Sequence, residues 1–139
     1  MIDALHNLNY LHVIVVAIIG FAFGAVWYSM IFAKAWSAGM KRTPEDCEKG
    51  KAAMGPNMIQ GFLWTLVSTF GLALLIVSHG TFGWRRGAAF GAVVGLLVVG
   101  ARQLNSNVWD KKPCKVVAIN LWHEVLLFAL QGSIMAHWH

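Results

Sequence analysis

Four polar side chains interrupt the last apolar run of this chain: Asn120, His123, Glu124 and Gln131. On a helix, Asn120 and Glu124 stand at i and i+4 and Gln131 seven beyond Glu124, so the three share one stripe with His123 at its edge. Measured from Lys115, the nearest cation, Glu124 lies about 13 Å along the helix axis. If the run crosses a bilayer, that depth is near the midplane, where an ionisable group costs about 2.5–3.5 kcal/mol or more and faces the bundle interior or water. Three chemistries are open to such a stripe. It is a polar clasp that hydrogen-bonds neighbouring helices, a proton or small-solute site built on the carboxyl and imidazole, or a ligand or pigment contact through His123. Hydroxyls expected at similar depth are Thr65, Ser68 and Thr69 on one earlier run and Tyr28 and Ser29 on another.

The elements that must position these groups are apolar helices. The 139 residues are 58% hydrophobic and 12% charged, against about 45–50% and 25% for soluble domains. That leaves too little charge to solvate a globule. Apolar runs long enough to cross the roughly 30 Å hydrocarbon layer occur at about 11–33, 57–78, 84–101 and 116–137. The third is short between Arg86 and Arg102, whose side chains snorkel to either interface. The first is too long for a signal peptide and is preceded by no Lys or Arg. The expected fold class is all-α: one domain, 1–139, forming an integral membrane four-helix bundle.

Charge sets the orientation. Lys34, Lys41, Arg42, Lys49 and Lys51 fall in the first connection, and Arg102, Lys111, Lys112 and Lys115 in the third. Only Arg85 and Arg86 fall in the second, and the ends hold none. By the positive-inside rule, loops 34–56 and 102–115 are cytoplasmic and both termini outside, in a bacterial inner membrane. The net charge of +5 is thus a topology signal, and nucleic acid is not an expected partner. Thr43-Pro44-Glu45-Asp46 carries a capping residue, a proline for the first helical position and acids in the first turn. It predicts a short interfacial helix over about 44–54, bounded by Gly50, Gly55 and Pro56.

Glycine rows suggest how the spans pack. Gly83, Gly87, Gly91 and Gly95 recur every four residues on span three, and Gly20 and Gly24 pair on span one. Such spacing leaves flat faces where another backbone approaches closely, inside the bundle or against a partner. Tyr28, Phe32 and Trp36 fall at i, i+4 and i+8, with Lys34 beside them. This predicts an anchor fixing the depth of span one.

The remaining motifs are few. Cys47 and Cys114 have no metal-binding or disulfide spacing, and His137-x-His139 is at most a surface feature. An intramembrane histidine can ligate haem or chlorophyll, but no Cys-x-x-Cys-His, phosphate loop, zinc motif or nucleophile elbow is present. Neither a cofactor nor a metal is predicted.

The stretch Gly24-Ala25-Val26-Trp27-Tyr28-Ser29-Met30-Ile31-Phe32-Ala33-Lys34-Ala35-Trp36 resembles the signature of domain-of-unknown-function family 1761. Thr43, Glu45 and Asp46 match the turn that follows, and Asn120-Leu121-Trp122-His123 and Ala136-His137-Trp138 match its last helix. Trp122 and Glu124 depart from the residues usual there. The resemblance implies a small four-span membrane protein and no particular activity. The expected role is a non-enzymatic structural or accessory component, as a homo-oligomer or within a larger membrane complex in the lipid bilayer. The alternatives are a small oligomeric transporter or channel using Glu124 and His123, and a haem- or chlorophyll-contacting subunit.

Overall fold

A computed structural model describes residues 2–138, and among these every regular element is helical. Seven helices follow in order: α1 (Ile2–Asn7), α2 (Tyr10–Ile31), α3 (Ala33–Gly39), α4 (Pro44–Ala52), α5 (Met54–His79), α6 (Trp84–Asp110) and α7 (Cys114–His137). Four of them, α2, α5, α6 and α7, are long and apolar enough to cross a membrane. They form an antiparallel bundle. The His12 ring at the start of α2 lies 4.9 Å from that of Trp138 after α7, so both ends of the chain meet at one end of the bundle.

Local chemistry sets the helix ends. Asn9 caps α2 by accepting from the amides of Leu11 and His12. Thr43 caps α4 in a full capping box with Asp46. Those bonds, first from the Thr43 backbone and then from its hydroxyl, hold the Asp46 carboxyl below its ordinary pKa. The α5–α6 turn needs backbone that L residues rarely adopt, with Gly80 at φ +65 and Gly83 at φ +88. The Gly83 N–H donates to the Ala136 carbonyl at 2.9 Å, tying the turn to the end of α7.

The spans differ from the sequence expectation at three boundaries. Helix α6 continues past Arg102 to Asp110, so 102–115 is mostly helix and the true connection is three residues long. A cation marks where a helix leaves hydrocarbon, not where it stops. Helix α5 begins at Met54, because Pro56 falls in its first turn, where a proline's missing N–H costs nothing. Span one ends in a π-helical turn, Trp27–Ile31, closed by the Phe32 N–H on the Trp27 carbonyl. At Phe32 (φ −114, ψ 12) the chain breaks and restarts as α3. A second π segment, Gly95–Gly100, lies within α6.

Helix α7 is the hub. Of its most apolar 18-residue window 39% is buried, against 22% in each other span. Its main neighbour is α6. Gly87, Gly91 and Gly95 lie against the α7 backbone, and a Cβ at Gly91 would overlap the Phe128 carbonyl oxygen. Gly132 of α7 returns the contact toward the Gly87 carbonyl. In lipid no hydrophobic force drives helices together, so this close approach and interhelical hydrogen bonds carry the association.

The apolar core, with Val13, Val16, Leu72, Ile76, Phe128 and Met135 at its centre, fills the half of the bundle nearest the chain ends. In the other half α5 stands away: residues 51–60 are all exposed. Asn120, His123 and Glu124 of α7 lie toward that looser half, and Gln131 lies in the core half, between Phe128 and Met135.

Candidate functional site: the polar face of the last helix

Each polar residue of α7 meets a different neighbour. Asn120 Oδ1 accepts twice, from the Tyr28 hydroxyl at 3.0 Å and from Trp36 Nε1 at 3.2 Å. The π turn and the break at Phe32 make this possible. They take Tyr28 and Trp36 off a straight helix and bring them onto one acceptor, rings 5.9 Å apart. Tyr28, Phe32 and Trp36 therefore do not share one straight helix face. Phe32 turns onto the Trp27 ring at 4.6 Å, and of the four anchor residues only Lys34 is exposed. Arg42 sits 4.7 Å over the Trp36 ring.

Gln131 is fully buried and donates from Nε2 to Thr69 Oγ1 at 2.8 Å. The Thr69 hydroxyl in turn donates to the Thr65 carbonyl at 2.7 Å. The other expected hydroxyl partners do not reach α7. Thr65 bonds the Gly61 carbonyl, Ser68 the Thr65 carbonyl and Ser29 the Ala25 carbonyl. A helical Ser or Thr satisfies itself on its own preceding turn when no neighbour offers better.

His123 is buried between aromatic rings: Phe23 stacked at 5.7 Å, Trp27 at 6.0 Å and Tyr28 at 4.9 Å. Its Nδ1 lies 3.1 Å from Glu124 Oε1. Its Nε2 has no partner among the described residues, and neither does Trp27 Nε1 nearby. Glu124 is less enclosed, with 26% of its side chain exposed toward the looser half.

The two glycines of span one have a use the spacing does not disclose. A Cβ at Gly24 would come within 3.2 Å of His123 Nε2, and one at Gly20 would collide with Gln131 Nε2 and sit 3.1 Å from Leu127. They make room for polar side chains of α7, not for a helix backbone. Gly83 leaves the glycine row as well: it is the N-cap of α6 and no other group lies within 4 Å of its Cβ direction.

Sequence reasoning missed Trp27, the indole beside His123, although the motif containing it was visible. It also missed Gln103, whose buried Oε1 is unpartnered in a cavity of about 30 Å³ shared with Asn107 and Asn120. Among the described residues no three His, Cys, Asp or Glu side chains converge as metal ligands, and His139 lies outside the described residues.

Chemically, then, the site is one face of α7 with two hydrogen-bonded clasps, Asn120 and Gln131, flanking a His123–Glu124 pair. No curated protein and no solved structure matches the chain. A family model described as "Protein of unknown function (DUF1761)" matches residues 11–136, from the start of span one to the last turn of span four. That match takes in both clasps, the His123–Glu124 pair and nearly all of the four spans of this chain, and the chain belongs to this family of unknown function.

Proposed function

We propose that the protein is a non-enzymatic structural or accessory component of a membrane assembly, formed with further copies of itself or with other membrane proteins. One observation carries the reading. Two polar side chains of α7 bridge to other helices of this same chain, Asn120 to Tyr28 and Trp36 and Gln131 through Nε2 to Thr69, while Gln131 Oε1 has no partner among the described residues. Polar groups used this way fix how helices sit together, a role they commonly take in lipid. Extraction in mild detergent tests it. A discrete homo-oligomer or a stoichiometric companion is expected, and a free 15.3 kDa monomer from native membranes overturns it.

A second reading is favoured by the His123–Glu124 contact, with one imidazole nitrogen still unpartnered. A buried His–carboxylate pair with a free nitrogen can take up and release a proton. In this reading an oligomer moves protons or small cations. Flux into proteoliposomes lost on Glu124→Gln supports it; flux unchanged by that substitution, or none in the parent, removes it.

A further inference from the structure

Away from the α7 face, a groove of about 420 Å³ opens between the end of α5 and the first turns of α6, at the end of the bundle where the chain termini meet. Its walls are of two kinds. His79, Thr81 and Arg86 line the end nearest the turn; Ala89, Phe90 and Val93 continue along α6 toward the middle of the span. The volume is that of a small-molecule site, about 300–1,000 Å³.

Three observations describe what the polar end would hold. Arg86 is exposed and makes no ion pair among the described residues, and no acidic side chain lines the groove. Thr81 is 93% buried (7% exposed) at the back of the groove, and its buried hydroxyl has no hydrogen-bond partner among the described residues. The N-terminus of α6 begins at Gly83 with no side-chain cap, so its first-turn amides, Arg86 included, carry unmatched partial positive charge. His79 is held in place by stacking on Phe90 at 5.3 Å. Together they place an unpaired guanidinium in the groove, beside the first turn of α6 and in front of the buried Thr81 hydroxyl, which is the chemistry of an anion site.

The apolar wall selects among anions. A soluble anion would leave Phe90 and Val93 uncovered, and a neutral lipid would leave Arg86 without a counter-charge. An anionic phospholipid complements both ends, its phosphate at Arg86 and one acyl chain along Ala89, Phe90 and Val93. We infer that this groove is a specific binding site for an anionic phospholipid.

Native mass spectrometry of the full chain in mild detergent tests it, with phosphatidylglycerol or phosphatidylcholine of identical acyl chains added. One phosphatidylglycerol per chain is expected to be retained about tenfold over phosphatidylcholine, the ratio expected of one charge-assisted contact. Arg86→Gln should bring phosphatidylglycerol down to the phosphatidylcholine level. Ala89→Trp, filling the apolar wall at an exposed position, should lower retention of both lipids. Arg85→Gln should change nothing, because Arg85 lies over Trp84 and does not line the groove. Far-UV circular dichroism confirms that each variant is folded, and Arg86→Lys, which keeps the charge, should keep the preference. Equal retention of the two lipids overturns the site, as does full retention by Arg86→Gln or Ala89→Trp. An equal loss in Arg85→Gln would reduce the effect to general charge. Displacement of the lipid by inorganic phosphate would show a headgroup pocket with no acyl component, which also overturns it.

Discussion

Replacing Gly91 by alanine isolates the α6–α7 contact. The added methyl would land on the Phe128 carbonyl oxygen. Backbone cannot rotate aside as a side chain can, so the helices must separate along that contact and lose dispersion over several turns. Overpacking of this kind costs about 1–3 kcal/mol. Against it, alanine in a helix gains about 0.5–1 kcal/mol over glycine. Gly71 of α5 is the matched control: it is also mid-span and helical, and a Cβ there meets nothing within 4 Å. Gly71→Ala should therefore be neutral or stabilised by up to about 1 kcal/mol, and Gly91→Ala destabilised by about 1–2 kcal/mol after the propensity gain is subtracted. The separation, about 1–3 kcal/mol, is the overpacking cost alone, because the propensity common to both cancels. Unfolding in mixed micelles by SDS, followed by far-UV circular dichroism, measures it. If Gly91→Ala proves as stable as Gly71→Ala, the helices do not approach as described and the reasoning fails.

Other consequences follow from the same contacts. Asn9→Ala removes the acceptor of two first-turn amides and should cost about 1 kcal/mol in the same assay, with Asn9→Ser close to the parent. The Asp46 carboxyl is held below its ordinary value of 3.8, so its contribution is complete above that pH and disappears as pH falls through the lowered value. Protection of the Asp46 amide, its exchange rate relative to the intrinsic rate at the same pH, should fall as the solution is acidified below 3.8, and in Asp46→Asn that loss of protection should be absent. Cys47 and Cys114 are both exposed, one before α5 and one at the start of α7, at the same end of the bundle. A membrane-impermeant maleimide should label both only after the cytoplasmic face is opened; labelling of either in intact cells reverses the proposed orientation.

The four spans were legible because a bilayer demands long apolar runs, and nothing in the chain obscures them. The Thr43 cap was legible for a similar reason, since its partners are three residues away. The end of α6 was not, because Gln103 to Asp110 is a polar helix, and composition alone does not separate polar helix from loop. At the site, the stripe on α7 was visible as spacing, but its partners were not. Trp36 and Asn120 are 84 residues apart, and they meet only because a π turn and a break at Phe32 redirect the chain. Nothing in Trp27–Phe32 signals that turn. The glycines of span one were visible as a pair, yet their purpose depends on which side chain of α7 arrives opposite them.

The central claim is that the polar groups of α7 hold the helices in register. A double-mutant cycle on Tyr28→Phe and Asn120→Leu tests it most directly, because each change removes one end of a single 3.0 Å hydrogen bond. Intramembrane hydrogen bonds of this kind contribute on average about 0.6 kcal/mol and up to about 1.7. A favourable coupling within that range is expected, measured by unfolding in mixed micelles. A coupling indistinguishable from zero would mean that the bond does not join α2 to α7, and would contradict the claim.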